Sequence, residues 1–381
     1  MRPRRFIFIA VGLLLLLHAY IGWRLLPALP LALTGRIIGI VLLGISCALL
    51  PLGLFARSIQ RQPLADRLAW AGFLAMGLFS SLLVLTVLRD ISLGIVALLL
   101  PQHYPTFAST SALVTPLFAM LLSIIGLINA RRPAKIVSIE IPIANLAPAL
   151  QGFTIAQISD IHIGPTIKRD YLEAIVDTVN SMNADVVAVT GDLVDGSVAQ
   201  LAAHTAPLSR LSARYGAYFV TGNHEYYSDA DAWTAEIERL GVRVLNNEHV
   251  ILQHGGANIL LAGVTDYSAH GFDASQRSDP HAAIANAPHN IDFKLLLAHQ
   301  PRSASAAAAA GFDLQLSGHT HGGQFWPWIY FVRLQQPYTA GLHRLGKLWI
   351  YTSRGTGYWG PPKRFLAPSE ITRITLVAAM R

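Results

Sequence analysis

Two imidazoles stand two residues apart in Gly318-His319-Thr320-His321-Gly322-Gly323, directly after the apolar run Leu314-Gln315-Leu316. Neutral imidazole is the commonest protein ligand for transition metals, and flanking glycines let backbone approach a crowded site without interference from Cβ. Four more stretches carry the same kind of chemistry after apolar runs: Ser159-Asp160-Ile161-His162, Gly191-Asp192-Leu193-Val194-Asp195, Gly222-Asn223-His224-Glu225 and Ala298-His299-Gln300. An Asp or Asn in such a place is most often a cap or turn former. It is the convergence of five such loops that points to a site. With His224 set aside they offer two carboxylates (Asp160, Asp192), an amide (Asn223) and four imidazoles (His162, His299, His319, His321), enough for two metal ions and too many for one. Asp160 and His162 are two apart, as are His319 and His321, so in extended backbone each pair points to one side. Cys47 is the lone cysteine and lies in an apolar block, which excludes a disulfide framework, a thiolate site and a cysteine nucleophile.

The elements that must hold these loops alternate. From Ile136 onward, short apolar runs separated by amphipathic stretches predict strands at 137–141, 154–158, 185–190, 217–221, 242–245, 294–298, 313–316, 349–352 and 371–377. The runs 250–254 and 258–264 flank Gly255-Gly256-Ala257 and predict a hairpin. Helices are expected at 171–182, where Leu172, Ile175, Val176 and Val179 share a face, and near 198–213, 230–240 and 304–310. The class is α/β with sheet at the centre, and sites in such folds form at the carboxyl ends of strands.

Residues 1–135 differ in kind. They hold twelve Lys and Arg against two acids, Asp66 and Asp90, a net of +10, whereas 136–381 carry a net of −3. The basic charge therefore belongs to the apolar part, which argues against a nucleic-acid partner for the domain with the chemistry. Residues 6–23, 37–55, 68–88 and 112–129 are each about long enough to cross a hydrocarbon core of roughly 30 Å. No small-x-small cleavage site follows the first block, so an uncleaved span is expected rather than a signal peptide, although Arg4-Arg5 hints at a twin-arginine signal. The run 91–100 is too short to span and is expected to be interfacial or re-entrant; a fifth crossing there would move the globular domain to the other side. Arginines cluster at the amino terminus, at Arg57, Arg61 and Arg67, and at Arg131, Arg132 and Lys135, which places both ends of a four-span bundle in the cytoplasm. No span carries a charge at its centre, which argues against a transporter.

In their order the five motifs resemble the signature of the calcineurin-like metallophosphoesterases: Asp-x-His, Gly-Asp, Gly-Asn-His-Asp/Glu, His and Gly-His-x-His. The likeness covers about Phe153 to Val377. The longer forms Ile158 to His162, Gly191 to Gly196 and Gly318 to Gln324 are similar to the membrane-associated bacterial branch termed YkuE-like. The resemblance implies a four-layer α-β-β-α sandwich over 136–381, preceded by the transmembrane helices. It implies two divalent transition metals, with manganese, iron and zinc undistinguished by the mixed nitrogen and oxygen donors. Asp160, His162 and His321 would hold one ion, Asn223, His299 and His319 the other, and Asp192 would bridge them. His224 would contact the phosphate and protonate the leaving group, and a water or hydroxide shared by the ions would attack phosphorus.

Around that set, Glu225 is expected to orient His224, and Asp195 to shape its loop before Gly196. Asp266 and His270 read as loop residues, and His204, His249, His254, His281, His289 and His343 have no positional support. Arg354, Lys363 and Arg364 either meet substrate anions or are surface charges beside a glycine-rich turn. The aromatic run Phe325-Trp326-Pro327-Trp328-Ile329-Tyr330-Phe331 reads equally as a packed loop and as a membrane-facing one. The expectation is a multi-pass protein of the bacterial inner membrane with a cytoplasmic catalytic domain. Its partners are the lipid bilayer and a phosphorylated substrate, a phosphodiester or pyrophosphate of a lipid or cell-envelope precursor. A phosphomonoesterase or phosphoprotein phosphatase, and a non-catalytic membrane scaffold, are the alternatives.

Overall fold

A computed structural model describes residues 3–56, 59 and 61–379, and side chains from residue 7 onward. Arg2 and Arg57, and the side chains of Arg4 and Arg5, which the charge-based topology invoked, lie outside the described residues. The chain divides into two compact units, Met1–Ile128 with Gly360–Lys363, and Asn129–Trp359 with Arg364–Arg381.

The first unit is helical: α1 (Pro3–Leu25), α2 (Leu33–Phe55), α3 (Gln62–Leu99) and, running into the second unit, α4 (Tyr104–Arg131). All four are long and apolar enough to cross a membrane. At 38 residues α3 runs on well past Leu88, about 57 Å at 1.5 Å per residue. The segment 91–100 is thus no separate interfacial piece. Nothing in Arg89-Asp90 breaks a helix, and both charges find partners. Arg89 donates to Ser111 Oγ (3.0 Å) and to the carbonyls of Ala108 (2.8 Å) and Arg24 (3.2 Å). Asp90 accepts from Tyr20 and Arg24, each at 2.7 Å. Helices α2 and α3 touch backbone to backbone where Gly53 meets Gly72; a Cβ on Gly72 would lie 2.5 Å from Gly53 Cα. The short stretch Gly360–Lys363 groups with these helices. Lys363 Nζ donates to the Gly77 carbonyl (2.9 Å) and to the hydroxyls of Ser81 and Ser123, and Gly126 leaves room for its stem, since a Cβ there would lie 2.5 Å from Lys363 Cγ.

The second unit contains two six-stranded sheets. The first is ordered β1 (Lys135–Ile143), β12 (Glu370–Ala378), β2 (Thr154–Ile158), β3 (Val186–Val189), β4 (Ala217–Phe219), β5 (Arg243–Val244). The second is ordered β10 (Gly341–Leu345), β11 (Leu348–Thr352), β9 (Leu314–Ser317), β8 (Phe293–Leu297), β7 (Ala257–Gly263), β6 (Glu248–His254). β2 to β5 are mutually parallel, as are β7, β8, β9 and β11, while the expected hairpin is the antiparallel pair β6–β7. Between the sheets Ile155, Val186 and Ala188 of one pack with Leu261, Leu295 and Leu316 of the other. Both faces of the central strands are covered, which is why β2 and β3 read as unbroken apolar runs.

Helices α5 (Arg169–Ser181), α6 (Val198–Thr205), α7 (Asn223–Tyr227) and α8 (Ala230–Arg239) follow strands of the first sheet. α5, α6 and α8 cover its outer face through Leu172, Leu201 and Trp233. α9 (Pro280–Ile284) and α10 (Ala304–Ala310) cover the second sheet through Ala283 and Ala307, and α11 (Trp328–Val332) follows β9. The layers are therefore α-β-β-α. The helix expected over 198–213 stops at Thr205 because Pro207 follows, and a short 3₁₀ segment, Ala206–Arg210, replaces its end.

Candidate metal centre

Each motif lies just past the carboxyl end of a strand or in the loop beyond it. β2 ends at Ile158 before Asp160 and His162; β3 at Val189 before Asp192; β4 at Phe219 before Asn223 and His224; β8 at Leu297 before His299; β9 at Ser317 before His319 and His321. The parallel strands bring these five ends together. Asp160, His162 and His321 present ligand atoms within 4.8 Å of one another, and so do Asp192, His299 and His319. Asp192 lies between the groups, its Oδ2 at 3.1 Å from His299 Nε2 and 3.9 Å from His162 Nε2. His162 Nε2 faces His321 Nε2 at 3.0 Å, and His321 Nε2 is 3.5 Å from Asp160 Oδ1. His319 Nδ1 is 3.2 Å from His299 Nε2.

The local backbone departs from the extended form that the two-residue spacings suggest. Asp160, His162, Asp192, His319 and His321 all have positive φ, between 51° and 70°. Such conformations cost roughly 1–3 kcal/mol each for residues with a Cβ and persist only where surroundings over-determine them. Here hydrogen bonds do so. The His319 N–H donates to both Asp160 oxygens (2.8 and 3.1 Å), and the His224 N–H donates to Asp192 Oδ1 (2.9 Å). Two glycines are sterically required, since a Cβ on Gly318 would lie 2.1 Å from Asp160 Oδ2 and one on Gly222 2.2 Å from Asp192 Oδ1.

The donor set fits divalent metal. His299 Nδ1 donates to the Thr190 carbonyl (2.7 Å), so in the neutral ring Nε2 is a lone pair aimed at the Asp192 carboxylate. Two acceptors at 3.1 Å need a proton or a cation between them. A proton on Nε2 meets the same need. Burial opposes it, but Asp192 holds the His299 pKa well above its ordinary value. Burial, with the His299 charge beside it, pushes His319 down to about 3, and burial with His162 and Arg364 nearby holds His321 well below the usual range, so both rings are neutral. Asn223 Oδ1 is buried without a hydrogen-bond partner among the described residues, as an oxygen reserved for a cation would be.

His224 packs at the same centre, with Nε2 4.0 Å from Asp192 Oδ2. Its Nδ1 makes a short hydrogen bond to Asp195 Oδ1, whose other oxygen is 3.2 Å from His162 Nδ1. The expected roles of the two outer acids are therefore exchanged. Asp195 orients His224, while Glu225 is fully buried and accepts backbone N–H groups from Gly222 (2.7 Å), Leu193 (2.8 Å), Asp192 (3.0 Å) and Val194 (3.3 Å), pinning the Asp192 loop. Glu225 follows His224 directly inside α7, and adjacent helical residues point about 100° apart, so one cannot brace the other's ring.

The three cations read either as anion contacts or as surface charges have partners within the protein. Arg354 Nη1 pairs with Glu370 (2.8 Å), and Arg364 is buried, bonding the carbonyls of Arg354 (2.7 Å) and His321 (3.0 Å) beneath the site. Lys363 belongs to the helical unit. Asp266 is buried and accepts from Ser268 and Gln300, the neighbour of His299, whereas His270 Nδ1 donates to the Tyr267 carbonyl (3.1 Å). Of the aromatic run, Phe325 is buried and Tyr330 and Phe331 are exposed. Two residues at the centre escaped the sequence reading, Trp359 and Tyr227, whose rings lie 5.6 and 5.2 Å from that of His224. Tyr227, three residues on in the same motif, was the findable one.

The calcineurin-like phosphoesterase family matches residues 153–323. The chain is 38% identical over 272 residues to a transmembrane protein with metallophosphoesterase domain of Danio rerio, covering 68% of this chain and 61% of that protein. It is 40% identical over 225 residues to an uncharacterized metallophosphoesterase of Helicobacter pylori, covering 58% of each. With the uncharacterized metallophosphoesterase YkuE of Bacillus subtilis it shares 31% identity over 233 residues, 59% of this chain and 79% of that one. The chain thus spans about three-fifths of the length of the first two relatives. Animal and bacterial proteins both match, so the likeness reaches the family and does not single out the bacterial branch.

Proposed function

The chain belongs to the calcineurin-like phosphoesterase family, and on that premise we propose that it is a membrane-anchored, metal-dependent phosphohydrolase acting on a phosphodiester or pyrophosphate of a lipid or cell-envelope precursor. In this reading residues 1–135 anchor and 136–381 catalyse. The observation that carries it is the meeting of Asp160, His162 and His321 in one group and of Asp192, His299 and His319 in another, with the buried Asn223 oxygen unpartnered among the described residues. Asp160, His162 and His321 would hold one ion and Asn223, His299 and His319 the other, with Asp192 available to both. Bound there, two divalent ions supply Lewis-acid polarisation of the phosphoryl oxygens and activation of water.

The remaining work falls to side chains. His224 delivers a proton to the leaving oxygen from Nε2, because its Nδ1 is engaged by Asp195. Burial would strip that proton, but the carboxylates of Asp192 and Asp195 favour the charged ring, Asp195 also through its hydrogen bond to Nδ1. Glu225 and Arg364 keep the loops in register without touching substrate. The continuity of α3 over Gln62–Leu99 supports four crossings rather than five, and with the arginine clusters this favours a cytoplasmic domain.

The test is turnover by the full-length protein, purified with manganese, on bis-p-nitrophenyl phosphate and p-nitrophenyl phosphate. Faster diester hydrolysis, abolished in Asp192→Asn together with metal content, is expected. A preference for the monoester would favour a phosphomonoesterase, and no turnover with two metals bound would leave the inert-scaffold alternative standing.

A further inference from the structure

We infer that Tyr227, Phe272 and Trp359 form an apolar wall beside His224 that binds an aliphatic chain on the leaving group and sets substrate specificity. This deepens the phosphohydrolase reading and rests on it. His224 is the proton donor to the leaving oxygen, so whatever lines its outer side faces the departing group. Trp359 meets the His224 ring edge-on at 5.6 Å, Tyr227 meets the same ring at 5.2 Å, and Phe272 lies 5.5 Å from Tyr227. These rings keep much of their surface open, Tyr227 being 51% exposed, Phe272 53% and Trp359 44%. Three large rings, each about half exposed around one buried polar centre, are costly in water and are the usual mark of a binding surface.

The wall is also held in place. Gln324 Nε2 donates to the Trp359 carbonyl and the Trp359 N–H donates to Gln324 Oε1, both at 2.9 Å, so Gln324 acts as a positioning residue clamping the tryptophan backbone. Ring geometry selects the occupant. A nucleobase wants a flat face to stack on in parallel. Here Tyr227 and Phe272 meet at 62°, His224 and Trp359 at 71°, and His224 and Tyr227 at 74°, which leaves a corrugated surface. A flexible alkyl chain can follow such a surface. Helices long and apolar enough to cross a bilayer are carried by the same polypeptide, consistent with a lipid phosphoester.

The experiment uses the full-length manganese-loaded protein and a series of non-hydrolysable alkylphosphonates, methyl, butyl and hexyl. Each is measured as a competitive inhibitor of bis-p-nitrophenyl phosphate hydrolysis and by direct calorimetric binding. A fully buried methylene is worth about 0.8 kcal/mol, or ~4-fold; against a half-exposed wall about 2-fold each is expected, so hexylphosphonate should bind roughly 30-fold tighter than methylphosphonate. In Trp359→Ala and Phe272→Ala the hexyl-to-methyl ratio should fall to roughly 3–10-fold, while Phe272→Leu, which keeps apolar bulk, should hold it near the starting value. The inference is overturned if the ratio is flat in the unaltered protein, if neither alanine variant lowers it, or if a nucleoside phosphonate outcompetes hexylphosphonate. Turnover with a flat ratio overturns the wall alone, whereas absence of both turnover and phosphonate binding overturns the phosphohydrolase reading on which it rests.

Discussion

Gly222→Ala should disable the centre while leaving the fold in place. Gly222 sits at φ −100° and ψ −178°, ordinary extended backbone that alanine adopts without strain. What forbids a side chain is space. An added Cβ would lie 2.2 Å from Asp192 Oδ1 and 2.5 Å from Asp192 N, against 3.4 Å for ordinary contact, so Asp192 must retreat by roughly 1 Å. It has little freedom to do so, because its N–H is held by Glu225 (3.0 Å) and its Oδ1 by the His224 N–H (2.9 Å). A misplacement of about 1 Å at a reacting centre costs on the order of 100-fold in rate, and here it falls on the carboxylate that both groups of candidate ligands share. Gly216→Ala is the control. It has φ +86° and nothing within 4 Å of its Cβ, so it tests conformation without crowding. A residue with a Cβ in that region costs about 1 kcal/mol, or about 2–4 °C in Tm for a unit of this size. The assays are kcat on bis-p-nitrophenyl phosphate, metal content and thermal melting of both variants. Gly222→Ala with wild-type kcat and two metals bound would refute the steric reasoning.

Three further changes probe the surroundings. In the metal-free protein burial opposes both charged forms, yet His224 is raised to about 9 by Asp192 and Asp195, and Asp195 is depressed below the usual carboxylate value by His224 and His162. The stabilisation on the histidine side is complete below about pH 6.5 and lost as pH rises through about 9; on the carboxylate side it is present above about pH 4 and lost only in strong acid. The Tm gap between wild type and Asp195→Asn should therefore be widest at pH 6 and narrow by pH 10, and a gap that widens with pH would contradict the pairing. Glu225→Gln puts an amide donor among four backbone N–H groups; with about 1–3 kcal/mol for each donor left unpaired, urea unfolding should report a loss of about 3 kcal/mol, and a loss below 1 would show that the loop re-pairs. Gly72→Leu should separate α2 from α3, where Gly53 Cα would lie 2.5 Å from the new Cβ, and lower the melting temperature in detergent; an unchanged melting curve would mean that the helices pack elsewhere.

Much of this molecule is legible in its residues, for identifiable reasons. The apolar blocks exceed the length that any small core needs, so the helical unit declares itself through composition. The buried parallel strands appear as unbroken runs such as Val186–Val189 because both faces are covered. The ligand candidates are visible because strand ends in an α/β sandwich are where polar groups gather, and five short motifs hold nearly all of them. Tertiary structure decided three other matters. The register of the parallel strands brings His162 Nε2 to 3.0 Å from His321 Nε2 across 159 residues, which no local pattern encodes. The left-handed φ of Asp160, His162, Asp192, His319 and His321 sits within contacts between loops, among them the His319 N–H on Asp160 and the His224 N–H on Asp192.

Partner choice among charges was the third. Asp195 and Glu225 are both acids of the motifs, and the helical turn of α7 sends Glu225 to the Asp192 loop and leaves Asp195, from a different motif, for His224. Arg354, Lys363 and Arg364 likewise look like anion receptors until Glu370, the α3 and α4 serines and a set of carbonyls are seen to hold them. Residue type and spacing report what a group can do; which neighbour it meets depends on contacts between segments far apart in the chain, and those exist only once the sheets have closed.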